Sequence, residues 1–220
     1  MKSIQAVFFD LDGTLVDTAP DLGYALNLQL QRHGKPVLTD DEIRPFASHG
    51  SRGLLGLGFG ITPQDAQFIA MRDEYLSLYD EVFTRQPRLF SGMEVVLKSL
   101  ATHAIPWGIV TNKPRRFTQP LVASLGLDKL AICVVSGDDA PQPKPSPATL
   151  LMACAQTGVQ PEQCVYVGDA ERDIQAGKAA GMHTLVALFG YLDASDTPET
   201  WGADGMIHQP EDLLLLFNPS

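Results

Sequence analysis

Asp10-Leu11-Asp12-Gly13-Thr14 follows directly on the apolar run Ala6-Val7-Phe8-Phe9. Residues two apart on an extended chain project to the same side, so Asp10 and Asp12 can converge on one reacting phosphorus. Gly13 lets the chain turn sharply, and the Thr14 hydroxyl can donate to a phosphate oxygen or bond back to the turn. The plain alternative is an acidic turn closed by Asx hydrogen bonds. The all-apolar run before it and the Gly-Thr after it favour chemistry.

Three further groups have types suited to the same task. In Gly168-Asp169-Ala170-Glu171-Arg172-Asp173, the two outer aspartates are four apart and share a face if helix starts there. Such a pair suits a hard cation with oxygen ligands and retained waters, which is magnesium. It equally suits the acidic first turn of the following helix. Lys144 lies between Pro143 and Pro145, which stiffen the loop and fix where the ammonium points. It can neutralise a phosphoryl group and a nucleophilic carboxylate; otherwise it is a solvated lysine. Thr111-Asn112 offers a hydroxyl and a backbone amide to a phosphoryl oxygen, or simply a turn or helix cap.

These residues need elements to hold them. Short apolar runs at Ala6–Phe9, Trp107–Val110, Ile132–Val135, Cys164–Val167 and Thr184–Leu188 read as parallel strands. Helical patterns at Met93–His103, Phe117–Leu125, Pro147–Thr157 and Asp173–Ala180 alternate with them. The alternation predicts an α/β fold, a doubly wound parallel sheet with right-handed crossovers. From Thr18 to Pro87 no strand pattern occurs. Thr18-x-x-Asp21 resembles a capping box, Thr39-x-x-Glu42 is one in full, and Thr62-Pro63 should open a longer helix carrying Phe68, Met71, Tyr75, Leu78 and Val82 on one stripe. The expected organisation is a core of residues 1–17 and 88–220 with a small helical cap at 18–87. Ligands of such sheets bind beyond the carboxyl ends of the strands, the edge where this insert could close over them.

The bulk properties narrow the partners. The 220-residue chain has a net charge of -10. Its field repels nucleic acid and anionic membranes, whereas a small anionic substrate needs only a local reversal of sign. The cysteines Cys133, Cys154 and Cys164 form no CxxC pair and no zinc spacing. The start of the chain runs directly into a strand, and no stretch is long and apolar enough for a membrane span, so a cytoplasmic protein is expected. A monomer or weak homodimer is expected too, with the Leu213–Leu216 run packing on the core or forming an interface.

In order along the chain, aspartates, hydroxyl, lysine and aspartates each follow successive strands. This resembles the four-motif pattern of the haloacid dehalogenase (HAD) superfamily over essentially the whole chain, and the insert looks like its C1 type of cap. The resemblance implies a Mg2+-dependent phosphatase. Asp10 would be the nucleophile that forms an aspartyl-phosphate, and Asp12 the general acid/base. Magnesium would be held by Asp10, the backbone carbonyl of Asp12 and Asp169, with Asp173 orienting metal waters or Lys144. Thr111, Asn112 and Lys144 would stabilise the phosphoryl oxygens.

Within the superfamily, Asp17-Thr18-Ala19-Pro20-Asp21 and Leu89-Phe90-Ser91-Gly92-Met93 look like phosphoglycolate phosphatases. Val110-Thr111-Asn112-Lys113-Pro114, Arg116-Phe117, Phe189-Gly190-Tyr191 and Trp201-Gly202-Ala203-Asp204 are closer to bacterial N-acetylmuramic acid 6-phosphate phosphatases of peptidoglycan recycling. Both substrates carry a carboxylate. Arg52, in the glycine-rich turn Ser48–Gly53, is the candidate to clamp it, unless it faces solvent. Thr14 and Lys113 are further candidates for substrate contact. A phosphosugar mutase shares this core and cap, and a non-catalytic binding protein is the remaining alternative. A dehalogenase would lack Asp12, and a phosphonatase would need a cap lysine where only Lys35 is present.

Overall fold

The computed structural model describes residues 4–217. In chain order, β1 (Ala6–Phe9) and β2 (Val16–Asp17) precede four helices, α1 (Ala19–Arg32), α2 (Asp40–Ile43), α3 (Gly50–Phe59) and α4 (Phe68–Asp80). The chain returns through β3 (Arg88–Leu89) and α5 (Met93–Thr102) to β4 (Trp107–Val110). Then follow α6 (Arg115–Ser124), β5 (Val134–Val135), α7 (Ala148–Thr157), β6 (Cys164–Gly168), α8 (Glu171–Ala180), β7 (His183–Ala187) and β8 (Gly205–Ile207).

Six strands form one sheet in the order β5-β4-β1-β6-β7-β8, and every pairing in it is parallel. The side-chain period of two divides β1 between the two faces. Val7 and Phe9 pack with Val96, Leu100, Ile109 and Val167, while Ala6 and Phe8 pack with Val135, Leu150, Cys154 and Tyr166. Burial on both sides explains why these strands read as unbroken apolar runs. The chain steps from β1 to β4 on one side and later crosses to β6 on the other. The carboxyl ends of these three strands therefore flank a topological switch point, where α/β sheets bind ligands.

Between β2 and β3 the chain is helical, with an apolar centre of its own that includes Leu22, Leu26, Leu54, Tyr75 and Leu78. Both passages between this unit and the sheet run through one antiparallel ribbon, with Val16 opposite Leu89 and Asp17 opposite Arg88. Phe117 and Tyr191 of the sheet unit pack into the same apolar cluster.

Local structure departs from the sequence reading at four places. The Thr39 capping box is present, but Thr18 caps nothing with its side chain. Its hydroxyl donates to Asp12 at 2.6 Å, and Asp21 accepts instead from the Gln86 amide at 3.0 Å. Thr62 does not open the long helix, because its N–H and hydroxyl both donate to Asp65 at 2.7 and 2.9 Å. That closes a local turn, and helix begins only at Phe68. The glycine-rich run is not simply a turn: Gly50 begins α3, and Arg52 stands in its first turn. Finally, β8 is a sixth strand that three residues on a half-exposed edge do not announce. Leu213 joins the core while Leu215 remains exposed. The three cysteines are free and buried, and no helix among the described residues is long and apolar enough to cross a membrane.

Candidate active site

Asp10 is the first residue beyond β1, and its amide donates to the Val167 carbonyl of β6 at 2.9 Å. The nucleophile candidate is thus tied to the neighbouring strand. Its carboxylate lies 3.0 Å from the Lys144 ammonium. Lys144 also reaches Asp173 at 2.7 Å, the Tyr166 hydroxyl at 2.7 Å and the Val110 carbonyl at 3.2 Å. Its side chain is 0% exposed, so it is not a solvated lysine. Asn112 fixes it from the backbone: the Asn112 amide donates to the Lys144 carbonyl at 2.9 Å and accepts from the Lys144 N–H at 2.8 Å. The Asn112 side chain therefore positions Lys144. Thr111 lines the cavity beside Asp10 and accepts the Lys113 amide at 3.2 Å.

Asp169 and Asp173 come within one small space. Ligand oxygens of Asp10, Asp169 and Asp173 all lie within 4.8 Å of one another. Asp173 divides its two oxygens between Lys144 and the start of α8. One oxygen pairs with Lys144, and the other accepts the Ala170 amide at 3.0 Å at the start of α8. Asp169 accepts from Ser48 Oγ at 2.6 Å, the Tyr191 amide at 2.9 Å and Thr14 Oγ1 at 3.2 Å. Thr14 is fully buried, so its hydroxyl serves Asp169 and not a ligand in the cavity. Gly13 has a φ of 83°, and any side chain there would collide with Asp169, which accounts for glycine at that turn.

Burial pushes the Asp10 carboxyl up to about 7; Lys144 draws it down, and Asp173 and Asp169 push it up further. Burial also raises Asp169, Asp173 adds to the rise, and the bonds from Ser48 and Tyr191 oppose it. Three buried carboxylates thus share one ammonium and the nearby Arg172 guanidinium. A donor set of carboxylate oxygens with excess negative charge fits a hard divalent cation, whose charge would favour the ionised form of Asp10.

Asp12 is set apart from this cluster. Both of its oxygens face the Lys113 ammonium, at 3.1 and 3.2 Å. Lys113 lines the cavity, but its charge is already placed on Asp12. Asp10 and Asp12 open together into a cavity of about 850 Å³ between the sheet edge and the helical unit, with Ser48, Arg52, Tyr79 and Arg172 among its walls. Arg52 is exposed on that wall. Arg116, by contrast, is exposed and lies over the Phe117 ring.

Several contributors carry no local signal. Ser48 touches Asp169, and its carbonyl accepts from Arg172 at 2.7 Å. Tyr79 meets Lys113 at 2.8 Å. The Tyr191 hydroxyl accepts the Thr18 and Ala19 amides at 2.7 and 2.9 Å and donates to Asp17 at 2.9 Å. Each sits far along the chain from its partner, so only the fold brings the pairs together.

Comparison with known proteins identifies relatives over nearly the whole chain. The family described as haloacid dehalogenase-like hydrolase matches residues 7–187. A phosphoglycolate phosphatase of Xanthomonas campestris is 42% identical over 97% of this chain and 96% of its own. An N-acetylmuramic acid 6-phosphate phosphatase of Pseudomonas aeruginosa is 35% identical over 96% of this chain and 93% of its own. The crystal structure of a predicted phosphoglycolate phosphatase from Haemophilus somnus superposes with a TM-score of 0.84 at 25% identity, covering 99% of this chain and all of that one.

Proposed function

The chain belongs to the haloacid dehalogenase-like hydrolase family, and from that premise we propose that it is a magnesium-dependent phosphatase of small phosphate monoesters working through an aspartyl-phosphate on Asp10. The observation that carries this reading is the shared opening of Asp10 and Asp12 into one cavity, each carboxylate bound to its own buried lysine.

In the first step a carboxylate oxygen of Asp10 attacks phosphorus, and the ester P–O bond breaks. Asp12 gives its proton to the departing oxygen. In the second step Asp12 takes a proton from water, whose oxygen attacks phosphorus, and the bond to Asp10 breaks to release inorganic phosphate. Lys144 supports the charge on Asp10 and on the phosphoryl oxygens, helped by Thr111. Asp10, the Asp12 carbonyl and Asp169 would hold magnesium, with Asp173 behind them. Bound there, the ion would supply charge that reduces repulsion between carboxylate and phosphate.

The helical segment 18–87 would act as the cap that selects the leaving group. N-acetylmuramic acid 6-phosphate and 2-phosphoglycolate are the two substrates proposed, since relatives carry both names. The cavity of about 850 Å³ lies in the range of pockets for drug-sized ligands, roughly 300–1,000 Å³, and that room favours the larger amino-sugar ester. Both esters have a carboxylate for Arg52. The test is phosphate release from a panel of both esters and simple sugar phosphates, with and without magnesium, for the wild type and Asp10→Asn. Magnesium-dependent release by the wild type alone is expected. Undiminished turnover by Asp10→Asn would sink the mechanism.

A further inference from the structure

We propose that Lys113 is a positioning residue for the Asp12 carboxyl group and that Tyr79 of α4 completes its setting, so that protonation of the departing oxygen depends on a contact from the helical insert. This rests on the reading of Asp12 as general acid/base.

The Lys113 side chain is 5% exposed. Placing an ammonium there is costly unless its partners are well arranged, and the arrangement is complete. The ammonium holds both Asp12 oxygens, bonds the Tyr79 hydroxyl at 2.8 Å and lies 4.8 Å from the Tyr79 ring centroid. The backbone it leaves from is fixed on both sides. The Lys113 amide donates to Thr111, and its carbonyl accepts from Thr118 at 3.0 Å.

Tyr79 is equally constrained. Its ring stacks on Tyr75 at 6.2 Å and meets Phe117 of α6 edge-on at 5.2 Å. It is buried, yet it lines the cavity. An ion pair serving stability alone would not need to stand in the cavity wall, or to take one of its three contacts from the insert.

A general acid works only within hydrogen-bond reach of the oxygen it protonates. Lys113 holds Asp12 by both of its oxygens and keeps its own protons throughout. The one proton transferred goes from Asp12 to the ester oxygen as the P–O bond breaks.

The test compares kcat/KM for an alkyl phosphate, whose alkoxide must be protonated to leave, with p-nitrophenyl phosphate, whose phenolate leaves without a proton. This ratio reports steps up to formation of the phosphoenzyme. Lys113→Met should lower kcat/KM on the alkyl ester by about a hundredfold and on the aryl ester by less than about threefold. Lys113→Arg should restore part of the alkyl activity. Tyr79→Phe, which removes one oxygen and keeps the ring, should show the same selectivity with a loss of about tenfold on the alkyl ester. If Lys113→Met does not fold, as read by circular dichroism, the Tyr79→Phe ratio decides. Equal losses on both esters, or no loss on either, overturn the proposal. Asp10→Asn serves as the separate control: activity there would defeat the phosphatase mechanism itself, whatever Lys113 does.

Discussion

Replacing Lys144 with methionine keeps most of the length of the side chain and removes the only ammonium among the described residues within bonding distance of Asp10 and Asp173, which it meets at 3.0 and 2.7 Å. Removing one partner of a buried ion pair costs about 3–5 kcal/mol, because the remaining charge is left uncompensated. The chain can escape part of that cost by taking up a proton. Asp10 is already pushed up to about 7 with Lys144 in place, since burial outweighs the attraction of the lysine. Without the lysine it rises further. A carboxyl whose folded-state value is raised binds protons more tightly in the folded chain. Its contribution to stability is full below the unfolded value and is lost as pH rises through the folded one. The Asp10 part of the Lys144→Met penalty should therefore be small near about pH 5 and grow to about 1.4 kcal/mol near about pH 8, where the wild-type carboxyl is ionised and the variant still holds its proton. Urea unfolding of both proteins in chelator at these two pH values measures it. Magnesium should stabilise the variant more than the wild type, because the variant presents a more negative site. Phosphate release should stay down by at least about a hundredfold at saturating magnesium, the counterpart of about 2.7 kcal/mol of lost transition-state stabilisation. A penalty below about 1 kcal/mol near pH 8, or one identical at both pH values, would refute the assignment of Lys144 as counter-ion of this cluster.

Two further outcomes follow from the same geometry. Asp169→Asn should raise the magnesium concentration for half-maximal activity by at least about tenfold; an unchanged magnesium titration would remove Asp169 from the ligand set. Arg52→Ala should raise KM about tenfold for a carboxylate-bearing ester and leave kcat and the KM of an uncharged-tail ester unchanged; equal KM values for both enzymes would leave Arg52 a solvent-facing residue.

The sheet and its order of motifs were legible because the physics behind them is local. A strand covered on both faces has to be apolar throughout, as Ala6–Phe9 and Cys164–Val167 are. A residue at its carboxyl end has to lie at the switch point. Asp10, Thr111 and Asp169 are found there for that reason. Side-chain partners are a different matter. Thr18 and Asp21 have the spacing of a capping box, but each finds a better partner outside the helix, in Asp12 and in the Gln86 amide. Thr62-Pro63 looks like a helix start, but Asp65 captures both Thr62 donors first. Thr14 suits a phosphate oxygen, yet its hydroxyl goes to Asp169. In each case a short polar side chain had more than one possible partner: a distant one prevailed for Asp21 and Thr14, and a local one for Thr62.

On the proposed mechanism, the two lysine–aspartate pairs would keep two like carboxylates in different work. Asp10 and Lys144 are nearly closed to solvent, with side-chain exposures of 5% and 0%. A nucleophile so enclosed keeps one position, and its ionisation depends on the cations placed beside it. Asp12 is 19% exposed although Lys113 is only 5% exposed. An acid/base group has to meet first the departing oxygen and then a water, so it needs access that the nucleophile does not. The cations differ in attachment as well. Lys144 is held entirely by the sheet unit, through Asn112, Tyr166 and Asp173. Lys113 is shared with Tyr79 of the insert. On the proposed mechanism, the cation beside the nucleophile is therefore held by the core, whereas the cation beside the acid/base group is shared between the core and the insert.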